Sequence, residues 1–179
     1  MQKIPKGKKI YEGPEGICFA SDHLYWYDRN FNEIDPPEEV NNKFLCSTDI
    51  TSLEGCPEIV RGVFYCNNTK ITSLKGAPKI VGGSFYCSYT SITSLEGAPE
   101  EVGGSFSCAH TKITSLEGAP EEVRGSFYCS DTNITSLEGC PKDVGGELGC
   151  LRTNITSLKG APAKIRFIDR ENFPDSITT

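Results

Sequence analysis

Apolar residues recur along this chain with a period of 21. The tetrapeptide Ile-Thr-Ser-Leu begins at Ile50, Ile71, Ile92, Ile113, Ile134 and Ile155. Each copy continues with Glu or Lys, then Gly, then Ala or Cys, then Pro, as in Leu95-Glu96-Gly97-Ala98-Pro99. Val60, Val81, Val102, Val123 and Val144 stand seven residues after the Leu, and Ile165 takes that place in the last copy. A glycine follows (Gly62, Gly83, Gly104, Gly125, Gly146), then a run such as Ser-Phe-Tyr-Cys, then a Thr three residues past the Cys. In Ser84-Phe85-Tyr86-Cys87-Ser88 the apolar positions alternate, which predicts a strand with Phe85 and Cys87 on one side. Stacking the repeats places these strands parallel, about 4.8 Å apart. Their inward residues then form one ladder of Phe44, Phe64, Phe85, Phe106, Phe127 and Leu148, and another of Cys46, Cys66, Cys87, Cys108, Cys129 and Cys150.

Self-similarity at this period is the signature of a solenoid. The expected fold is a mostly β repeat solenoid, with parallel strands on a concave face and extended or 3-10 segments on the convex one. A proline and two or more glycines per repeat leave no room for a long helix. The glycine before each strand is expected to permit a tight turn. The Thr column (Thr69, Thr90, Thr111, Thr132, Thr153) is expected to bond backbone groups where the chain bends. Weaker echoes extend the repeat upstream: Leu24-Tyr25-Trp26 followed by Phe31 and Ile34 has the offsets of Phe85-Tyr86-Cys87 followed by Ile92 and Leu95. The expected organisation is an N-terminal cap over 1–23, the solenoid over 24–165 and a C-terminal cap over 166–179.

The pattern resembles leucine-rich repeats. LxxLxLxxNxLxxL maps onto Gly82, Phe85, Cys87, Thr90, Ile92 and Leu95, with Thr at the Asn position and Gly at the first Leu. The Leu-x-x-x-Pro-x-x-Val segment is similar to the back of the short repeats in bacterial effectors, and Ser-Leu-Glu-Gly-Ala-Pro is similar to repeats of phage and bacterial proteins. The resemblance implies a binding scaffold, and a phage-encoded inhibitor of a host defence protein is its sharpest form.

Composition narrows the chemistry. Nine cysteines are an odd number, so they cannot all pair within the chain. Six fall on one inward strand position, and Cys56 and Cys140 replace the Ala77, Ala98, Ala119 and Ala161 of other repeats. Cys18 lies in the N-terminal cap. No C-x₂-C pair marks a zinc site, so the ladder reads as core packing. Neither a metal nor another cofactor is expected. The net charge of −6 argues against polyanion binding by the whole surface. Lys3, Lys6, Lys8 and Lys9 read as a solubilising tail that leads into no apolar stretch. No run approaches the roughly 20 apolar residues of a membrane span, so a cytoplasmic protein is expected, in the host if phage-encoded. The acidic pairs Glu100-Glu101 and Glu121-Glu122 recur at one repeat position, which marks a solvated face. With two histidines, His23 and His110, and no phosphate loop, an enzyme is not expected.

Function is therefore sought on the strand face, where solenoids carry their variable residues. Candidate partner-binding residues are Tyr25, Tyr65, Tyr86 and Tyr128 from the outward strand position. Tyr89, His110, Asp131 and Arg152, which share one variable position just past the strand, complete the set. Exposed tyrosines are frequent hot spots, though stacked ones also stabilise neighbouring strands. The expected function is non-catalytic binding of an intracellular protein. Self-association as a structural element, and binding of a small ligand or nucleic acid, are the alternatives.

Overall fold

A computed structural model describes residues 7–162 and 166–168. Lys3, Lys6, Ile165 and the segment after Ile168 lie outside the described residues. The chain forms a mostly β solenoid of about five turns. No helix occurs among the described residues. Each coil contributes two short strands to two parallel sheets. One, the F sheet, stacks Phe44–Leu45, Phe64–Tyr65, Phe85–Tyr86, Phe106–Ser107, Phe127–Tyr128, Glu147–Gly149 and Arg166–Ile168 in chain order. The other, the V sheet, stacks Glu39–Val40, Ile59–Val60, Ile80–Val81, Glu101–Val102, Glu122–Val123 and Asp143–Val144. Pairing is in register, so Phe85 faces Phe64 on one side and Phe106 on the other. The Val column, expected to lie in extended chain, is thus itself a sheet. Arg166–Ile168, which the sequence assigns to a cap, continues the F sheet beside Glu147–Gly149.

The core is a strip running along the solenoid. Phe44, Phe64, Phe85, Phe106 and Phe127 are fully buried. Their rings stack at centroid distances of 5.7, 5.2, 5.3 and 5.3 Å. The Ile and Leu of each repeat pack beneath them, with Ile71, Leu74, Ile92, Leu95, Ile113 and Leu116 at 0% exposure. The cysteine ladder fills the space beside the rings. Cys66 and Cys87 also donate their S–H to the Tyr86 and Ser107 carbonyls of the next coil, both at 3.3 Å.

Turns close each coil by specific hydrogen bonds. Thr69, Thr90, Thr111, Thr132 and Thr153 donate Oγ1–H to the carbonyl of the Cys three residues earlier, at 2.7–2.8 Å. Thr111 is 6% exposed, so its replacement by Val strands a buried carbonyl. Thr111→Val is expected to cost about 1–2 kcal/mol, read as a lower urea midpoint at unchanged slope.

The glycine expectation needs correction. Gly62, Gly83, Gly104, Gly125 and Gly146 are not among the left-handed residues. They are required because coils touch there: a methyl group at Gly83 would lie 2.8 Å from the Gly62 carbonyl carbon. Within the coils the left-handed glycines are instead those two residues after the Leu, such as Gly97 at φ +87°. Gly97 is the third residue of a turn in which the Ala98 N–H donates to the Leu95 carbonyl at 2.9 Å, the geometry of a type II turn.

The N-terminal end also differs from the expectation. Four antiparallel strands form a separate sheet: β1 (Lys8–Gly13), β2 (Gly16–Ala20), β3 (Leu24–Tyr27) and β4 (Glu33–Ile34). Leu24-Tyr25-Trp26 is therefore a strand of a cap meander and not of a coil, and the parallel strands begin at Glu39. This sheet covers the first coil. Trp26 stacks on Phe44 at 6.0 Å and donates Nε1–H to the Gly55 carbonyl at 2.8 Å. Tyr11 closes over the same phenylalanine at 5.8 Å.

Candidate interaction surface

The outward position of the F sheet carries Leu45, Tyr65, Tyr86, Ser107, Tyr128 and Gly149. Tyr65 and Tyr86 stack at 5.1 Å with their planes 16° apart. Ser107 interrupts the column, is 8% exposed and shares a 2.7 Å hydrogen bond with Ser88. Tyr128 lies over Gly149, where an added methyl would meet its Cδ1 at 2.7 Å. The tyrosines are thus a pair and a single ring. Tyr25 is on the cap, where its hydroxyl donates to Asp22 at 3.2 Å and its ring lies 4.1 Å from that of His23.

The serines flanking this column are committed to the backbone. Ser84, Ser105 and Ser126 accept the N–H of Ser105, Ser126 and Glu147 from the following coil at 2.9–3.0 Å. They hold coils together, which leaves the tyrosines and the next edge as the variable surface.

That edge has an unusual backbone. Asn68, Tyr89, His110, Asp131 and Arg152 all lie in the left-handed region, at φ 56°, 58°, 55°, 56° and 50°. The conformation follows from the coil. Each of the first four residues donates its N–H to the carbonyl of the next coil, as from Tyr89 to Ala109 at 3.1 Å, and the chain then turns into the buried Thr. Asn and Asp tolerate the region through local hydrogen bonding, while other side chains cost about 1–2 kcal/mol there. Tyr89, His110 and Arg152 are strained placements on this measure.

Their side chains form one continuous ladder. The Tyr89 and His110 rings stack at 4.2 Å and 13°. His110 Nε2 lies 3.3 Å from Asp131 Oδ2. Arg152 grips the same carboxylate with two hydrogen bonds, Nη2 to Oδ2 at 2.6 Å and Nε to Oδ1 at 2.5 Å. The guanidinium hydrogen bonds hold the Asp131 carboxyl below its ordinary range, against the opposing effect of partial burial, and His110 adds to the lowering. Tyr89 at the other end is 56% exposed. The structure therefore joins four of the eight sequence candidates into a chain of contacts, places three tyrosines on the adjacent sheet, and separates Tyr25 from them. The left-handed backbone does not follow from the 21-residue period. Its signal was the presence of Asn68 and Asp131 in a column otherwise held by bulky residues.

No family model, curated protein or solved structure matches this chain.

The opposite side of the coils is charged and solvated. Glu100, Glu101, Glu121 and Glu122 are exposed. Lysines bridge some neighbours between coils, as Lys79 to Glu58 at 3.1 Å and Lys159 to Glu138 at 2.8 Å. Such exposed pairs contribute little stability, about 0–1 kcal/mol each. No helix among the described residues is long and apolar enough to cross a membrane.

Proposed function

We propose that the protein is a leucine-rich-repeat-like binding module that recognises a protein partner. Its contact surface is the Tyr89–His110–Asp131–Arg152 edge together with Tyr65, Tyr86 and Tyr128. One observation carries the reading: Tyr, His and Arg occupy a left-handed column where Asn or Gly fits without strain. Backbone strain of this kind clusters at binding and switch sites. The aromatic and Arg content of the edge is also that of interface hot spots.

The test is to relieve the strain and watch the partner. Tyr89→Asn exchanges a stacking contact worth about 0.5–1.5 kcal/mol for a residue suited to the backbone. Arg152→Asn does the same for an exposed ion pair worth about 0.2–1 kcal/mol. Both variants are expected to keep their stability within about 1 kcal/mol by urea denaturation. Both are expected to lose the protein that the wild type retains from an extract of its native cells. Loss of stability with the partner still bound would show that the column is structural and end the proposal.

A further inference from the structure

The charges of the coils are sorted between their two halves. Between residues 43 and 157, the half that runs from the F strand through Ile-Thr-Ser carries three acids, Asp49, Asp131 and Glu147, against four cations, Lys43, Lys70, Lys112 and Arg152. The half that runs from the Leu through the V strand carries ten acids against five cations. Two of the three acids on the first half are neutralised: Lys70 pairs with Asp49 at 3.1 Å, and Arg152 and His110 share Asp131. A chain of net charge −6 thus keeps its acidity away from the recognition edge.

Arg152 is held on that edge with donors to spare. A guanidinium has five N–H donors in a fixed fork. Nε and Nη2 each give one to Asp131. Three remain, and Nη1 with Nη2 makes a second, unused fork on the far edge. The side chain is 65% exposed, while Asp131, at 20%, fixes its direction. Lys112 stands two residues past His110, exposed and without an ion-pair partner among the described residues.

We infer that this edge recognises an acidic segment of its protein partner, with one carboxylate on the free fork of Arg152 and a second on Lys112. The inference rests on the binding function proposed above and adds the partner's charge. Bidentate Arg–carboxylate pairs are among the stronger hydrogen-bonded contacts. An arginine already oriented by Asp131 also loses less freedom when it binds. Arg152 and Lys112 lie two coils apart, about 10 Å. Alternate residues of an extended peptide are about 7 Å apart on one face, and the flexible lysine stem spans the difference. The acidic half of the coils repels the same segment, which sets the side from which it docks.

A dye-labelled octapeptide of alternating Glu and Gly is the probe, read by fluorescence anisotropy. Its Gln-Gly and Lys-Gly counterparts and a single-stranded DNA of equal charge are compared with it. At about 0.01 M salt the Glu peptide is expected to bind about 10-fold more tightly than the Gln peptide. That preference is expected to vanish at about 1 M, where charges are screened within about 3 Å. Lys112→Ser installs the residue that Ser91 supplies one coil earlier, so the fold is kept, and binding is expected to weaken about 3-fold. Arg152→Lys keeps the charge without the planar fork and is expected to weaken it about 5-fold. Equal affinity for the Glu and Gln peptides, tighter binding of the Lys peptide or of the DNA, or unchanged affinity in both variants would each overturn the inference. If Tyr89→Asn still loses the cellular partner in that case, the recognition surface stands and only its preference for acid falls.

Discussion

Raising the pH from 7 to 9.5 is expected to unfold the protein. Burial raises the thiols of Cys18, Cys56, Cys66, Cys87, Cys108 and Cys129, and lifts Cys140 to about 12 and Cys150 to about 11. In the unfolded chain a thiol ionises near 8.5. The folded state therefore keeps protons that the unfolded state releases. The stabilisation is complete below about pH 8 and is lost as the pH rises above the unfolded value. One unit above it, each thiol contributes a loss of about 1.4 kcal/mol. The eight raised thiols together give on the order of 11 kcal/mol at pH 9.5. Domains typically hold only about 5–15 kcal/mol in total. Urea denaturation followed by circular dichroism, under a non-thiol reductant at pH 7, 8.5 and 9.5, reads the effect. The Cys56→Ala, Cys140→Ala double variant removes two of the eight and should lower the slope by about a quarter. Stability that stays level across this range would show that the core thiols are not protected.

Phe85→Ala is expected to cost about 4–5 kcal/mol. The ring has no exposed surface and lies between Phe64 and Phe106 at 5.2 and 5.3 Å. Truncation leaves a cavity and removes two stacked contacts. Its consequence differs from that of a similar change in a globular core. A coil touches only its neighbours, so stability propagates along one dimension. A central defect uncouples the capped N-terminal coils from those beyond Phe106. Hydrogen exchange is expected to show two blocks with different protection, where the wild type shows one. Phe85→Leu keeps most of the volume, as Leu148 does beside Phe127 in the same ladder, and should cost less than about 1.5 kcal/mol. A Phe85→Ala loss below about 1 kcal/mol would mean that the ladder does not hold the coils together.

These effects trace to features that differ in how openly the chain displays them. The inward Phe and Cys ladders, the Thr hydrogen bonds and the parallel register follow from a 21-residue period, because stacking makes equivalent residues neighbours. The cap was hidden by a coincidence of offsets. Leu24-Tyr25-Trp26 and Phe85-Tyr86-Cys87 share spacing, yet β1 and β2 are joined by Pro14 and Glu15 between the paired Gly13 and Gly16. That Gly-Pro-Glu-Gly turn is a hairpin signal and marks an antiparallel start. In the glycine columns, identity alone does not separate a left-handed residue from one crowded by the next coil. Gly97 is the first kind and Gly83 the second. The proposed binding edge is legible in the sequence as a set of variable positions. Its contacts are not, because they run between residues one coil apart and depend on the backbone that Asn68 and Asp131 only hint at.

In-register pairing makes coils interchangeable. Removing residues 85–105 would join Ser84 to Phe106, the same junction as Ser105 to Phe106 in the intact chain. The first strand step already spans 20 residues in place of 21, from Phe44 to Phe64, so the stack accepts small differences in coil length. Each added or lost coil would shift everything beyond it by about 4.8 Å without exposing a new kind of seam. Length is thus a property this architecture can vary in discrete steps, and the distance from the cap to any chosen side chain is counted in coils.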